Sequence, residues 1–278
     1  MTKQDGKLIA QNNELRILKM LHKFGFLRTR DIAALVWMQA KAATSGVEFE
    51  LQSVYISASA LRMAQITLLR LKTNKLVYSH LAPDSSLIYG LTEAGARRLQ
   101  GHDIPASSAS DWLRKFSTAQ YHHRRIANEI AICALIQGYR VATEREIAAG
   151  LWIGGMEGIY GKKPDVLVRS SKIAWWIEVE RSHKNKRDYD KLIVWLNTVW
   201  PGGTGHATIG NHALQQVIFV SNTAFMNRLK ADLKSHSWTD HSINLRIRGI
   251  SSLYVSEAKF LMKEPRPRAE GAGLLEIL

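Results

Sequence analysis

Between Gln100 and Asp111 the chain reads QGHDIPASSASD, and its apolar periodicity lapses. Gly, Pro, Ser and Asp in such a run favour turns and extended connections over packed elements. A chain of 278 residues has room for two modest domains, so the lapse sets the expected division. A first unit spans residues 1–100, a linker 101–111 and a second unit 112–258. Residues 259–278, with Pro265, Pro267, Gly271 and Gly273, read as a loose tail.

Composition narrows the class. Hydrophobic residues make up 46% of the chain, enough to bury a core, which excludes global disorder. The single cysteine, Cys133, excludes an intrachain disulfide framework and a cysteine-built zinc site. No apolar run is long enough for a membrane span. No apolar segment follows the opening Met1–Asp5 as a secretory leader requires. The expectation is a chain of a reducing, cytoplasmic compartment with no membrane partner. Its 38 Lys+Arg against 24 Asp+Glu leave a formal charge of +14, which points to a polyanion, most commonly nucleic acid.

In the first unit, Leu15, Leu18, Leu21 and Phe24 recur at helical spacing over Glu14–Phe24, and Gly25 stops that helix. Thr29 is placed to cap a second helix, with Asp31 in its first turn and Ile32, Leu35 and Val36 on its apolar side. Ser57 or Ser59 caps a third, running to about Lys72, with Leu61, Ala64, Leu68 and Leu71 inward. Its outer face carries Ser59, Arg62, Gln65, Arg70 and Lys72, the candidate DNA-binding residues. Leu76–Tyr78 and Leu87–Tyr89 read as strands joined through Pro83–Ser86, and a closing helix runs from Leu91–Gly95 to Leu99. Three helices, a hairpin and a closing helix resemble a winged helix-turn-helix, and LTEAG after the second wing strand resembles bacterial regulators. The resemblance implies a third helix that enters the major groove of double-stranded DNA.

The second unit has a different rhythm. A helix is predicted over Trp112–Ile136, then a strand over Tyr139–Ile147 and a glycine-rich stretch over Gly150–Gly161. Strands over Asp165–Arg169 and Ile173–Glu180 precede a helix from about Lys184 to Trp200. Val217–Val220 is wholly apolar, as a buried central strand requires. A helix over Ala224–Ser235 and a strand over Ile243–Ile247 complete the order.

That order, with Pro164–Asp165 and then Glu178–Val179–Glu180, resembles the PD-(D/E)xK nucleases and their restriction-endonuclease-like core. The whole is then an α+β chain: a winged helix-turn-helix followed by a nuclease-like α/β core with a mixed central sheet. The resemblance implies that Asp165 and Glu178 hold Mg²⁺ (or Mn²⁺) for attack of water on phosphorus. Glu180 points the same way as Glu178 along its strand, and Glu144, Glu146 or Glu129 is a candidate third carboxylate. Where the motif has lysine this chain has Glu180. Lys184 and Lys191, seven apart on the next helix, are candidate substitutes.

A narrower resemblance covers most of the chain. The YHHRRIANEI helix (Tyr121–Ile130), the PD pair and Glu178–Arg181 are similar to plasmid replication-relaxation and MobC-class mobilisation proteins. It implies a bacterial relaxase-like nuclease acting at a specific DNA site. Asp165, Glu178 and Glu180 are then its metal carboxylates, His122 or His123 assists and Lys191 is the helix lysine. Other mobilisation or replication proteins and a second copy of the chain are further candidate partners. The rival expectation is a DNA-binding regulator whose nuclease-like unit is inert, which the glutamate at 180 favours.

Other features read as structural. PGGTGHATIG (Pro201–Gly210) lacks the Gly-Lys-Ser/Thr end of a phosphate loop and reads as a connection. Trp175 and Trp176 fall on opposite faces of one strand, so at least one packs in the core. Tyr121, Tyr160 and Tyr189 lack the His-x-His triad that would accompany a tyrosine relaxase.

Overall fold

The computed structural model describes residues 3–42, 48–109, 113–180, 185–251 and 261–263. It is a mixed α+β structure with a mixed multi-strand sheet.

The first helix, α1 (Lys3–Phe24), extends further toward the N-terminus than its apolar spacing predicts. It ends at Gly25, whose φ of +82° suits glycine and whose N–H donates to the Leu21 carbonyl at 2.9 Å. The short strand β1 (Leu27–Arg28) leads into α2 (Thr29–Trp37). Arg28, and not Thr29, occupies the position before that helix, with its N–H donating to Asp31 Oδ2 at 2.8 Å. After β2 (Val54–Ile56), α3 (Ala58–Thr73) starts at Ser57, whose hydroxyl accepts from the Ala60 N–H at 3.2 Å. The hairpin β3 (Val77–Leu81) and β4 (Leu87–Leu91) is joined on the β4 side by β1, giving an antiparallel order β1-β4-β3. The closing helix α4 (Glu93–Gln100) follows. Gly95 in it passes so close to the Leu76 carbonyl that any Cβ would collide with backbone.

The rest of the chain forms a second sheet between helices. α5 (Thr118–Ile136) is capped reciprocally by Ser117 and Gln120. It leads through β5 (Arg140–Ala142) and α6 (Glu144–Ala148) to β6 (Val166–Arg169) and β7 (Ile173–Val179). Then come α7 (Lys186–Val199), β8 (Thr208–Ile209), β9 (His212–Ser221), α8 (Thr223–Ser235), α9 (Asp240–Arg246) and β10 (Ile247–Ser251). The order is β10-β9-β7-β6-β5, with β8 folded onto β9. β5, β6 and β7 are antiparallel, whereas β9 runs parallel to both β7 and β10. Val217–Val220 is completely buried in β9, the interior strand that its composition requires. Trp175 packs into the layer formed with α5, and Trp176 into the layer formed with α7, α8 and α9.

Three predicted elements differ. The alternation over Tyr139–Ile147 yields a strand of three residues, because Thr143 starts a helix there. Its N–H donates to Glu146 Oε2 at 2.9 Å while its hydroxyl accepts from the Glu146 N–H at 3.3 Å. The strand expected at Ile243–Ile247 is largely α9, capped by Thr239, and β10 begins at Ile247. The helix expected from Trp112 starts at Thr118; Trp112 itself lies outside the described residues.

Part of the expected linker is packed. Ala106 and Ala109 are buried, and the Ala109 N–H donates to the Leu91 carbonyl at 2.9 Å. One apolar cluster runs from Ile17 and Leu21 of α1 through Ile126 and Ile130 of α5 to Trp175 and Ile177 of β7. Polar contacts join the halves as well. Arg28 bonds Glu129 at 2.6 Å, Asn128 Nδ2 donates to the Phe26 carbonyl at 3.0 Å, and Lys23 meets Glu146 at 2.7 Å. Within the expected tail, β11 (Leu261–Lys263) pairs in parallel with β2; residues 264–278, including Pro265 to Gly273, lie outside the described residues. Among the described residues, no helix is long and apolar enough to cross a membrane.

Candidate active site

Asp165 stands just before β6, and its N–H donates to the Ile177 carbonyl at 3.0 Å. Because Val166 faces Ile177 in the register, one further antiparallel step sets Asp165 opposite Glu178 on the same side of the sheet. Two carboxylates thus meet beside a cavity of 830 Å³ that His122, His123, Glu144 and Glu180 also line. Each carboxylate holds a cationic or polar partner. His123 Nε2 lies 3.0 Å from Asp165 Oδ1, and the Val179 N–H donates to Asp165 Oδ2 at 2.7 Å. Lys162 Nζ donates to Glu178 Oε2 at 2.8 Å, and the Trp176 indole N–H donates to the other oxygen.

Burial and these contacts together set the two carboxyl pKa values in opposite directions. Burial works against the Asp165 carboxylate, but the His123 hydrogen bond and charge, with the Val179 N–H and Lys162, outweigh it and lower its pKa. Glu178 goes the other way. Burial and the Asp165 charge raise its pKa against the opposing pull of Lys162. For His123, burial disfavours the imidazolium, yet the Asp165 hydrogen bond and charge prevail and the pKa is raised. Glu144 is also raised, first by burial, although Arg124 Nε lies 3.0 Å from one of its oxygens. Its other oxygen is buried with no hydrogen-bond partner among the described residues.

Glu180, two residues beyond Glu178, is buried, and its N–H donates to the Val220 carbonyl at 2.8 Å. His122 borders the cavity with its ring against Tyr121, but the contact with Asp165 belongs to His123. Glu144 reaches the cavity from the first turn of α6 and not from a strand. Lys184 lies outside the described residues. Lys191 is not brought to the carboxylates; it is 65% exposed, 3.6 Å from Asp188, and faces a different groove. Glu129 belongs to the Arg28–Arg30–Arg125 cluster, with no exposed surface. Tyr121 and Tyr189 spend their hydroxyls on Asp84 and Asp232 at 2.8 and 2.7 Å.

The sequence left His123 open as an alternative to His122, and it missed Lys162. Lys162 sits in the loop before Pro164, three positions ahead of Asp165 and next to an equivalent Lys163. Only the fold distinguishes the two. On α3, Ser59, Arg62, Gln65, Arg70 and Lys72 are all exposed. Arg70 pairs with Glu14 at 3.2 Å, and Met63, Ile66 and Leu69 share the exposed surface.

Among the described residues, no group of three or more His, Cys, Asp and Glu side chains has the spacing to hold a metal ion. Asp165 and Glu178 fit a looser requirement. They are hard oxygen donors, and Mg²⁺ is commonly held by one or two carboxylates with the rest of its shell water. Compared with known proteins, no family model matches the chain, and no curated protein or solved structure matches it.

Proposed function

We propose that the protein binds double-stranded DNA through α3 and cuts a phosphodiester at the Asp165–Glu178 pair, as a mobilisation or replication protein of a plasmid or similar element. The opposition of Asp165 and Glu178 beside one cavity, with Lys162 and His123 in contact, carries this reading. The sequence of α1, α2, α3 and the β3–β4 hairpin, with β1 on β4, supports reading the first unit as a winged helix-turn-helix. The β5-β6-β7 meander followed by a parallel β9 supports the nuclease-like reading of the second. The excess of 14 positive charges favours contact with the phosphate backbone.

Asp165 and Glu178 would hold Mg²⁺ or Mn²⁺, which supplies Lewis acidity toward the phosphate and lowers the pKa of water. Lys162 takes the part that the motif assigns to a lysine and that Glu180 leaves open, offsetting negative charge as phosphorus is attacked. His123 keeps Asp165 ionised through its Nε2 contact and is placed to take up or release a proton there. A second reading, an inert nuclease-like unit in a DNA-binding regulator, is favoured by one observation: every oxygen of the pair already accepts from a protein donor.

Titration calorimetry of Mn²⁺ into wild type and Asp165→Ala, beside a supercoiled-plasmid nicking assay, separates the two. Binding and nicking that both vanish in the variant support the nuclease. Salt-sensitive DNA binding by a wild type that takes up no Mn²⁺ and nicks nothing supports the regulator.

A further inference from the structure

We propose that the groove between the Gly150–Gly161 loop and α7 holds a single DNA strand, with a base stacked on Tyr160. The proposal deepens the nucleic-acid reading and rests on it. The groove encloses 890 Å³ and is lined by Tyr160, Lys162, Arg187, Lys191, Val194 and Trp195 among others. Its floor is the buried Trp195, and its walls include Tyr160 and Val194, which are 69% and 65% exposed. An exposed aromatic ring at the edge of a concave surface offers a face on which a base can stack. Tyr160 also adopts φ +51°, a conformation uncommon for a bulky residue. The loop thus carries a backbone cost at the residue whose ring is exposed.

Charge selects the occupant. Lys186 and Lys191 are paired with Asp190 and Asp188 only at exposed sites, where such pairs are weak and readily exchanged for phosphate. Arg187 is exposed with no ion pair among the described residues. An aromatic platform beside exposed cations is the combination that holds unpaired nucleotides, since each offers one free ring face and one phosphate. Bases in a duplex have their faces covered by neighbours, so the stacking ring favours a single strand. Lys162 joins this groove to the carboxylate pair: its Nζ lies 2.8 Å from Glu178 Oε2 and 5.7 Å from the centre of the Trp195 ring. A strand lying in the groove would run directly to that pair.

The test is fluorescence anisotropy, in EDTA, of a labelled single-stranded oligothymidylate of about a dozen nucleotides and of a matching duplex. Tyr160→Ala is expected to weaken single-strand binding about tenfold while leaving duplex binding unchanged, and Tyr160→Phe to bind as wild type does. Arg187→Ala should lower the salt dependence of single-strand binding. Equal single-strand affinity in wild type and Tyr160→Ala, or equal losses in the Ala and Phe variants, would overturn the proposal. Because no cleavage is needed, Tyr160-dependent binding without nicking removes the chemistry and leaves the groove. Nicking with Tyr160-independent binding removes the groove alone.

Discussion

Arg28 and Glu129 lie 101 positions apart in the chain and 2.6 Å apart in the fold, both buried. Glu129 also faces Arg30 and Arg125, so one carboxylate answers several guanidinium groups where the two halves meet. Removing one member of a buried ion cluster leaves uncompensated charge, which typically costs ~3–5 kcal/mol. Glu129→Gln is expected to lose stability on that scale in urea denaturation. Wild type should unfold in one cooperative transition, because the apolar core is shared across the halves. Two separate transitions in wild type would contradict this.

Lys162→Met removes the cation that holds the raised Glu178 pKa in check. On the proposed chemistry, nicking should fall ~100-fold or more, the usual loss when one charge-stabilising donor is removed. The acid limb of the pH–rate profile should also move upward as Glu178 becomes harder to ionise. A variant with the rate and profile of wild type would exclude Lys162 from the site.

His123 and Asp165 make stability depend on pH from both sides. The raised His123 pKa means that its contribution is full below the unfolded value of 6.5 and is lost as pH rises through the higher folded value. The lowered Asp165 pKa gives a contribution present above the unfolded value of 3.8 and lost as pH falls through the folded value. The Tm difference between wild type and His123→Gln should therefore be widest between those two unfolded values and narrow toward alkaline pH. A difference that widened toward alkaline pH would contradict the pairing.

Arg62 and Lys72 on α3 should separate by role. On the proposed DNA-binding reading, Lys72→Ala is expected to weaken binding to all duplexes alike and reduce the salt slope by about 1. Arg62→Ala, if Arg62 reads a base edge, should cost ~1–3 kcal/mol and relax preference at one position of a selected site. Binding measured over a salt series on selected and scrambled duplexes distinguishes them, and equal losses on both duplexes for Arg62→Ala would count against base reading.

Most helices of the fold were legible because their stops and starts are written locally: Gly25 after α1, Ser57 before α3, Thr92 before α4. The two misread strands failed for the same physical reason. Thr143 with Glu146 and Thr239 with Ser242 supply reciprocal caps, and a cap outweighs a few residues of alternation. Asp165 and Glu178 were singled out by resemblance to the PD-(D/E)xK motif, and the β6–β7 register sets them opposite each other. Lys162 and His123 were harder, since a loop lysine and one histidine of a pair acquire their positions only from packing. Part of the expected linker is packed, for a related reason. Small residues that suit a tether, Ala106 and Ala109, also suit burial against a neighbouring sheet.

The continuous core between α1, α2, α5 and β7 bears on distance. Because both halves pack into that one core, it sets the separation of α3 from the Asp165–Glu178 pair. On the proposed reading the protein acts as a ruler: the bond it attacks lies at a set offset from the sequence it recognises. Moving the recognised sequence by half a helical turn would carry the scissile bond to the far side of the duplex, out of reach.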